Sequence, residues 1–412
     1  MVSITRDFAP PFKLIAPYFI IGTLFYVLSN FLLFGVDIVQ MSSSQDLHII
    51  SWVHLFLLGF VMMIIFGAMA QLIPVVLEKG HYKVSFYYAI YPLFSLGIIM
   101  MAYGFIYSHL LLSVGGSMVL VAMFIFSLET FLTLKTVEKF NIVTISVLIS
   151  NIFLLIGVSV GLVMALTFAG FLNANVMALL NAHVYLLIGG YVLITIMSFS
   201  YILIPMFGLS HGFSKIPLHV AVGMQSLAVS IVFIAALIEN ELFTKIGYFL
   251  SFLSVLIYFY LIFTIDKTRA RKQNDMYIIS LLLGFIFFAL AVVFGGLYIA
   301  SSNETYALLS GWLLFVGFFG FLISGHLYKI VPFLVWYERF SPLVGKQKVP
   351  MLGDMVPTKS ANFQIYLTSV GIILFSFAIY FQNSDLQMAA ASFLSIGSLF
   401  LFKNLMFMTR FK

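Results

Sequence analysis

The chain has 412 residues, 63% of them hydrophobic and 8% charged, with a mean hydropathy of +1.14 and a formal net charge of +6. A water-facing shell needs far more charge, so this composition excludes a soluble globular protein and implies a polytopic membrane protein. With no cysteine the chain forms no disulfide and no thiolate-ligated metal site, leaving histidine, methionine and oxygen as metal donors.

In chain order, apolar runs long enough to cross a bilayer predict twelve spans, near 14–36, 47–77, 84–107, 110–133, 143–170, 176–206, 216–238, 243–265, 277–301, 307–337, 361–382 and 386–408. The first follows MVSITRDFAPPFK and has no small-residue cleavage site after it, so it reads as a retained helix and not a signal peptide. Spans two, six and ten are the long ones, and each ends in an apolar-Pro pair, at Pro74, Pro205 and Pro332. These prolines lie about a third of the chain apart. The expectation is an all-α membrane protein of three pseudo-repeats with four helices each, over residues 1–135, 136–270 and 271–412, forming a single membrane domain.

The loops give an orientation. Nineteen of the twenty Lys and Arg residues, from Arg6 and Lys13 to Arg410 and Lys412, fall on the side of the N-terminus, and Lys245 alone falls on the other. The positive-inside rule then places both termini in the cytoplasm, as expected of a bacterial inner-membrane protein. The positive charge belongs to a membrane face and implies no nucleic-acid partner.

This orientation puts His54 and His183 near the outer ends of spans two and six, and His326 six residues before Pro332 in the inner half of span ten. Ionisable or ligating side chains at membrane depth are costly and usually functional. A neutral imidazole in a helical bundle is the usual axial ligand of heme iron. Gly59 and Gly67 follow His54, and Gly189 and Gly190 follow His183; glycine lets a helix approach a flat macrocycle or another helix closely. Two readings stand side by side. In one, the two imidazoles face one cavity and bind heme; in the other, each hydrogen-bonds locally and the glycines pack helices. His326, with Tyr328 and Lys329, is a further metal-ligand candidate or part of a proton path; otherwise it bonds a buried carbonyl while Lys329 reaches to the surface. Glu78 and Glu129 read as solvated or paired acids at helix ends. The sequence holds no HExxH, no phosphate-binding glycine loop and no C-x-x-C-H, so zinc proteolysis, those modes of nucleotide binding and covalent heme have no support. Gly- and Pro-interrupted helices also fit a transporter, although transporter repeats are typically two-fold.

The stretch HLFLLGFVMMIIFGAMAQLIPVVLEKG, with twelve spans in three four-helix units, resembles subunit I of the heme-copper oxidases, most nearly the nitric oxide reductase and cbb3-type members. The resemblance implies a b-type heme ligated by His54, a metal-facing position for His183, and other respiratory membrane subunits as partners. Copper is a weaker implication. The chain departs from that family where span seven reads SIVFIAALIEN and span ten opens ETYALLSGWLLFVG, both without the family's histidines. A binuclear centre of the family's kind is therefore not implied, nor is oxygen or nitric oxide reduction by its mechanism. The role implied is electron transfer, gas response or respiratory-complex assembly. The NnrS family of heme- and copper-containing membrane proteins is a second resemblance, but its HAHE opening is replaced by WVHL at residues 52–55. A heme-free transporter or scaffold with the same fold is the alternative.

Overall fold

The computed structural model describes residues 10–39, 43 and 45–412 of the chain. Arg6, counted above among the cations of the N-terminal side, lies outside the described residues. The described chain is all-helical, with twelve helices long and apolar enough to span a membrane. These are α1 (Phe12–Gly35), α2 (Leu47–Leu77), α3 (Phe86–Tyr107), α4 (His109–Leu134), α5 (Ile142–Phe168), α6 (Val176–Gly208), α7 (Ile216–Leu237), α8 (Glu241–Lys267), α9 (Met276–Ser301), α10 (Glu304–Arg339), α11 (Thr358–Phe381) and α12 (Ser384–Thr409). Each lies within three residues of its predicted span. Hydropathy places the spans well because unpaired backbone cannot sit in hydrocarbon, so an apolar run of this length must be helical.

Short polar side chains set where the helices begin. Asp46, Asn141, Asn175, Asn240, Asp275, Asn303 and Asn383 each accept hydrogen bonds from the first free amides of the helix that follows. At the opposite ends of α6, α9 and α11 the chain turns through left-handed residues, Leu209, Ser302 and Gln382.

The helices form two compact units. The first, Gln71–Gln273, holds α3 to α8; the second, Pro10–Ala70 with Asn274–Lys412, holds α1 and α9 to α12 with most of α2. In the first unit the single residue Ser108 joins α3 to α4, and the two pack closely: the space a Cβ on Gly97 would need lies 3.0 Å from the Gly115 carbonyl oxygen. In the second, α11 and α12 approach through Gly371 and Gly397, which face Leu394 and the Thr368 hydroxyl.

The three long helices share a distinctive backbone. Each begins as α-helix, passes through a π-helical stretch (Leu55–Met62, Tyr185–Leu193 and Leu313–Phe319), and returns to α-helix before its proline. The stretches end twelve residues before Pro74, twelve before Pro205 and thirteen before Pro332. A π-helix is rare and usually a single inserted turn, so three at matching places need a common cause.

Candidate functional site

The side chains these helices pack against recur at matching places as well. Fifteen residues before each proline stands a glycine (Gly59, Gly190 and Gly317) followed by an aromatic residue (Phe60, Tyr191 and Phe318). Seven residues before each proline stands a small residue, Gly67, Ser198 or Gly325. Each glycine receives a phenylalanine from the preceding span. The Cβ atoms of Phe25, Phe153 and Phe287 lie 2.8, 2.8 and 2.7 Å from where a Cβ on Gly59, Gly190 and Gly317 would stand. In the second unit the lower contacts are Gly67 with the Tyr18 Cβ and Gly325 with the Ser280 Cβ, at 2.7 and 2.9 Å on the same measure. The paired positions are thus eight residues apart on α2 and α10 but only seven apart on α1 and α9. On α2 and α10 one inserted residue matches this difference, since eight residues with a π turn climb about the 10 Å that seven climb in an α-helix.

The four glycines singled out in the sequence are therefore in close contact with protein. Gly59 meets Phe25, Gly67 meets Tyr18 and Phe19, and Gly190 meets Phe153. Gly189 faces Gln225, whose Nε2 donates to the Gly189 carbonyl at 3.2 Å while its Oε1 accepts from Ser251 at 3.0 Å.

His54 belongs to the second unit and His183 to the first. His54 sits one residue before the π stretch of α2, and its Nδ1 donates to the Ile50 carbonyl at 2.8 Å. His183 sits two residues before the π stretch of α6; its Nδ1 donates to the Gly157 carbonyl on α5 at 2.9 Å. The imidazole lies against Gly161, with Cε1 2.6 Å from the place a Cβ would take. A carbonyl oxygen only accepts, so in both rings the proton is assigned to Nδ1 and Nε2 carries the lone pair. Metal-ligating histidines commonly have this arrangement, with the far nitrogen fixed by a backbone carbonyl. On α10, Trp312 stands at the position of His54 when the prolines are aligned. Its Nε1 donates to the Ile372 carbonyl at 3.1 Å, and its ring stacks on Phe375 at 4.1 Å, with Trp52 5.9 Å away. On α6 the same position is Tyr185, because His183 stands 22 residues before Pro205 and His54 stands 20 before Pro74, so neither other long helix places an imidazole there.

His326 shows the same tautomer, with Nδ1 donating to the Leu322 carbonyl at 2.7 Å. Its Nε2 lies 3.4 Å from the Tyr277 hydroxyl, the two rings being perpendicular. Three residues on, Lys329 Nζ donates to Asp275 Oδ2 at 2.6 Å and stands 5.7 Å from the centre of the Tyr277 ring. Lys329 is thus paired as well as extended toward the helix end. Asp275 also caps α9 through its other oxygen, which accepts from the Tyr277 and Ile278 amides. Tyr328 points into a separate polar group: its hydroxyl donates to Gln364 Oε1 at 3.3 Å and accepts from Asn404 Nδ2 at 2.9 Å.

The sequence left Glu129 as either solvated or paired. It is fully buried and paired: its Oε2 meets His81 Nδ1 at 3.0 Å and its Oε1 accepts from the Thr133 hydroxyl at 2.8 Å. Thr133 in turn accepts from the Tyr82 amide at 3.0 Å, fixing the loop after α2 to the end of α4. His48, His109, His211 and His219 are exposed.

Among the described residues no three or more His, Asp or Glu side chains gather as a metal site. The donors at hand are single imidazoles. These fit a group that brings its own equatorial donors, as a porphyrin does, and do not fit a free ion needing three or four protein ligands. Comparisons of the chain with protein-family models and with curated proteins return no match.

Proposed function

We propose that the chain is a membrane-embedded heme protein on the plan of heme-copper oxidase subunit I, with His54 and His183 as its axial-ligand candidates. It acts in electron transfer, gas response or respiratory-complex assembly and not as a terminal reductase. The observation that supports this reading is the pair of carbonyl-anchored imidazoles, one and two residues before the π-helical stretches of α2 and α6. A bound b-type heme supplies a one-electron couple and a site for a diatomic gas. The chain's own part is to hold each ring: the Ile50 and Gly157 carbonyls fix the tautomer, and Gly161 lets the His183 ring lie close to α5. The three matching long helices support the three-fold repeat, and the nineteen-to-one cation distribution supports a bacterial inner-membrane protein with both termini in the cytoplasm.

The test is heme content. Protein purified from heme-replete cells is assayed for heme and iron per chain, beside His54→Ala and His183→Ala. Near-stoichiometric heme that falls in either variant supports the reading and shows which ring ligates.

A heme-free transporter or scaffold is the second reading. It is favoured by Phe25, Phe153 and Phe287, which occupy three equivalent glycine notches with protein. It expects a metal-free, colourless preparation of normal stability.

A further inference from the structure

We infer that the recess at the end of α12 holds an anionic phospholipid, with Arg410 and Lys412 at its phosphate and an acyl chain along the exposed face of α12. The recess has a volume of about 540 Å³ and is walled by Met406, Phe407, Arg410, Phe411 and Lys412, all in the second unit. Its walls are held from α10. The Arg339 guanidinium donates to the Phe411 carbonyl at 2.6 Å and to the Thr409 carbonyl at 3.1 Å, tying down the last turn of α12. The Phe411 ring meets Phe340 and Phe407 edge-on, with centroids 6.3 and 5.8 Å away.

The face of α12 that leads to the recess changes character along its length. Ile396, Leu399, Lys403, Phe407 and Arg410 follow one another at steps of three and four, so they form a single stripe, and all five are exposed. The stripe is apolar at Ile396 and Leu399 and cationic at Lys403 and Arg410. It rises about 21 Å, and one leaflet of hydrocarbon is about 15 Å deep, so an acyl chain fits along Leu399 and Ile396 with its headgroup at the recess. The acids at this end of the second unit are engaged elsewhere. Asp275 pairs with Lys329, Glu338 accepts from the Phe12 amide at 2.9 Å, and Asp354 accepts from the Met351 amide at 2.9 Å. Lys403, Arg410 and Lys412 are exposed and form no ion pair among the described residues. A guanidinium takes two phosphate oxygens at once, an ammonium adds a second charge, and basic clusters directly beside a span are where anionic headgroups collect. A lipid phosphate and a free phosphate share this chemistry; the apolar stripe favours the lipid.

The experiment uses the full chain in detergent, examined by native mass spectrometry with phosphatidylglycerol or phosphatidylcholine of matched acyl chains, with and without millimolar inorganic phosphate. Wild type is expected to retain phosphatidylglycerol in preference to phosphatidylcholine, whether or not phosphate is present. Arg410→Gln should weaken that retention about fivefold, and Lys403→Gln/Arg410→Gln about twentyfold. Lys346→Gln, an exposed cation in the loop between α10 and α11, should leave it unchanged. The altered side chains are exposed, so the melting temperature of each variant should stay at the wild-type value. Equal retention of both lipids, or phosphatidylglycerol retention indifferent to the double variant, overturns the inference. Displacement of the lipid by millimolar phosphate overturns it too, in favour of a soluble phosphate.

Discussion

Phe25 occupies the space that a side chain on Gly59 would need, its Cβ 2.8 Å from the missing Cβ position and its ring atoms at 2.6 and 2.8 Å. The same contact recurs between Phe153 and Gly190 and between Phe287 and Gly317. Real Cβ atoms do not approach one another this closely, so an added methyl must displace a packed ring. Gly59→Ala, Gly190→Ala and Gly317→Ala should each destabilise the fold by about 1–3 kcal/mol, the usual cost of overpacking. Thermal unfolding in detergent, followed by circular dichroism, checks this. Gly223→Ala is the control: nothing lies within 4 Å of its Cβ position, and alanine there should leave the melting temperature unchanged or raise it.

The buried His81–Glu129 pair makes a different prediction. Both side chains are wholly buried, so His81→Ala leaves a carboxyl group without its imidazole in a site closed to water. Breaking such a pair costs about 3–5 kcal/mol, whereas replacing both partners by apolar residues is far milder. His81→Leu/Glu129→Leu should therefore be more stable than His81→Ala alone. A double variant as unstable as the single one would show that the loop depends on Thr133 and Tyr82 instead.

Asp275 does two things at once, and its variants should separate them. One oxygen caps α9 and the other pairs with Lys329. Asp275→Asn keeps a capping oxygen and drops the charge, while Asp275→Ala loses both, with the cap alone worth about 1 kcal/mol. Alanine should therefore destabilise more than asparagine in the same melting assay. Equal losses would mean that the capping oxygen contributes nothing.

The spans were legible in the sequence because their signal is local: about twenty apolar residues in a row have one acceptable backbone. The histidines at 54, 183 and 326 and the glycines at 59, 67, 189 and 190 were legible as unusual residues, but their neighbours were not. Phe25 and Gly59 are on different spans, and His81 finds Glu129 across 48 positions of chain. Asp275 and Tyr277, the partners of Lys329 and His326, were missed for the same reason. One further signal was present and unread. Glycine, an aromatic residue, six residues, Gly or Ser, six residues and proline recur at Gly59–Pro74, Gly190–Pro205 and Gly317–Pro332. This pattern continues into α10, where the histidine-led comparison stopped because Trp312 replaces the imidazole. The π winding has no sequence signature of its own; on α2 and α10 it goes with matching eight residues on one helix to seven on its neighbour.

The proposal above is that His54 and His183 ligate heme iron. Its most direct measurement is the visible absorption spectrum of the purified full-length protein, oxidised and then reduced with dithionite, beside His54→Ala and His183→Ala. The account predicts a Soret band and a reducible α band in wild type, shifted or lost when a ligating histidine is removed. A folded, colourless protein from heme-replete cells, with both variants indistinguishable from wild type, would contradict it.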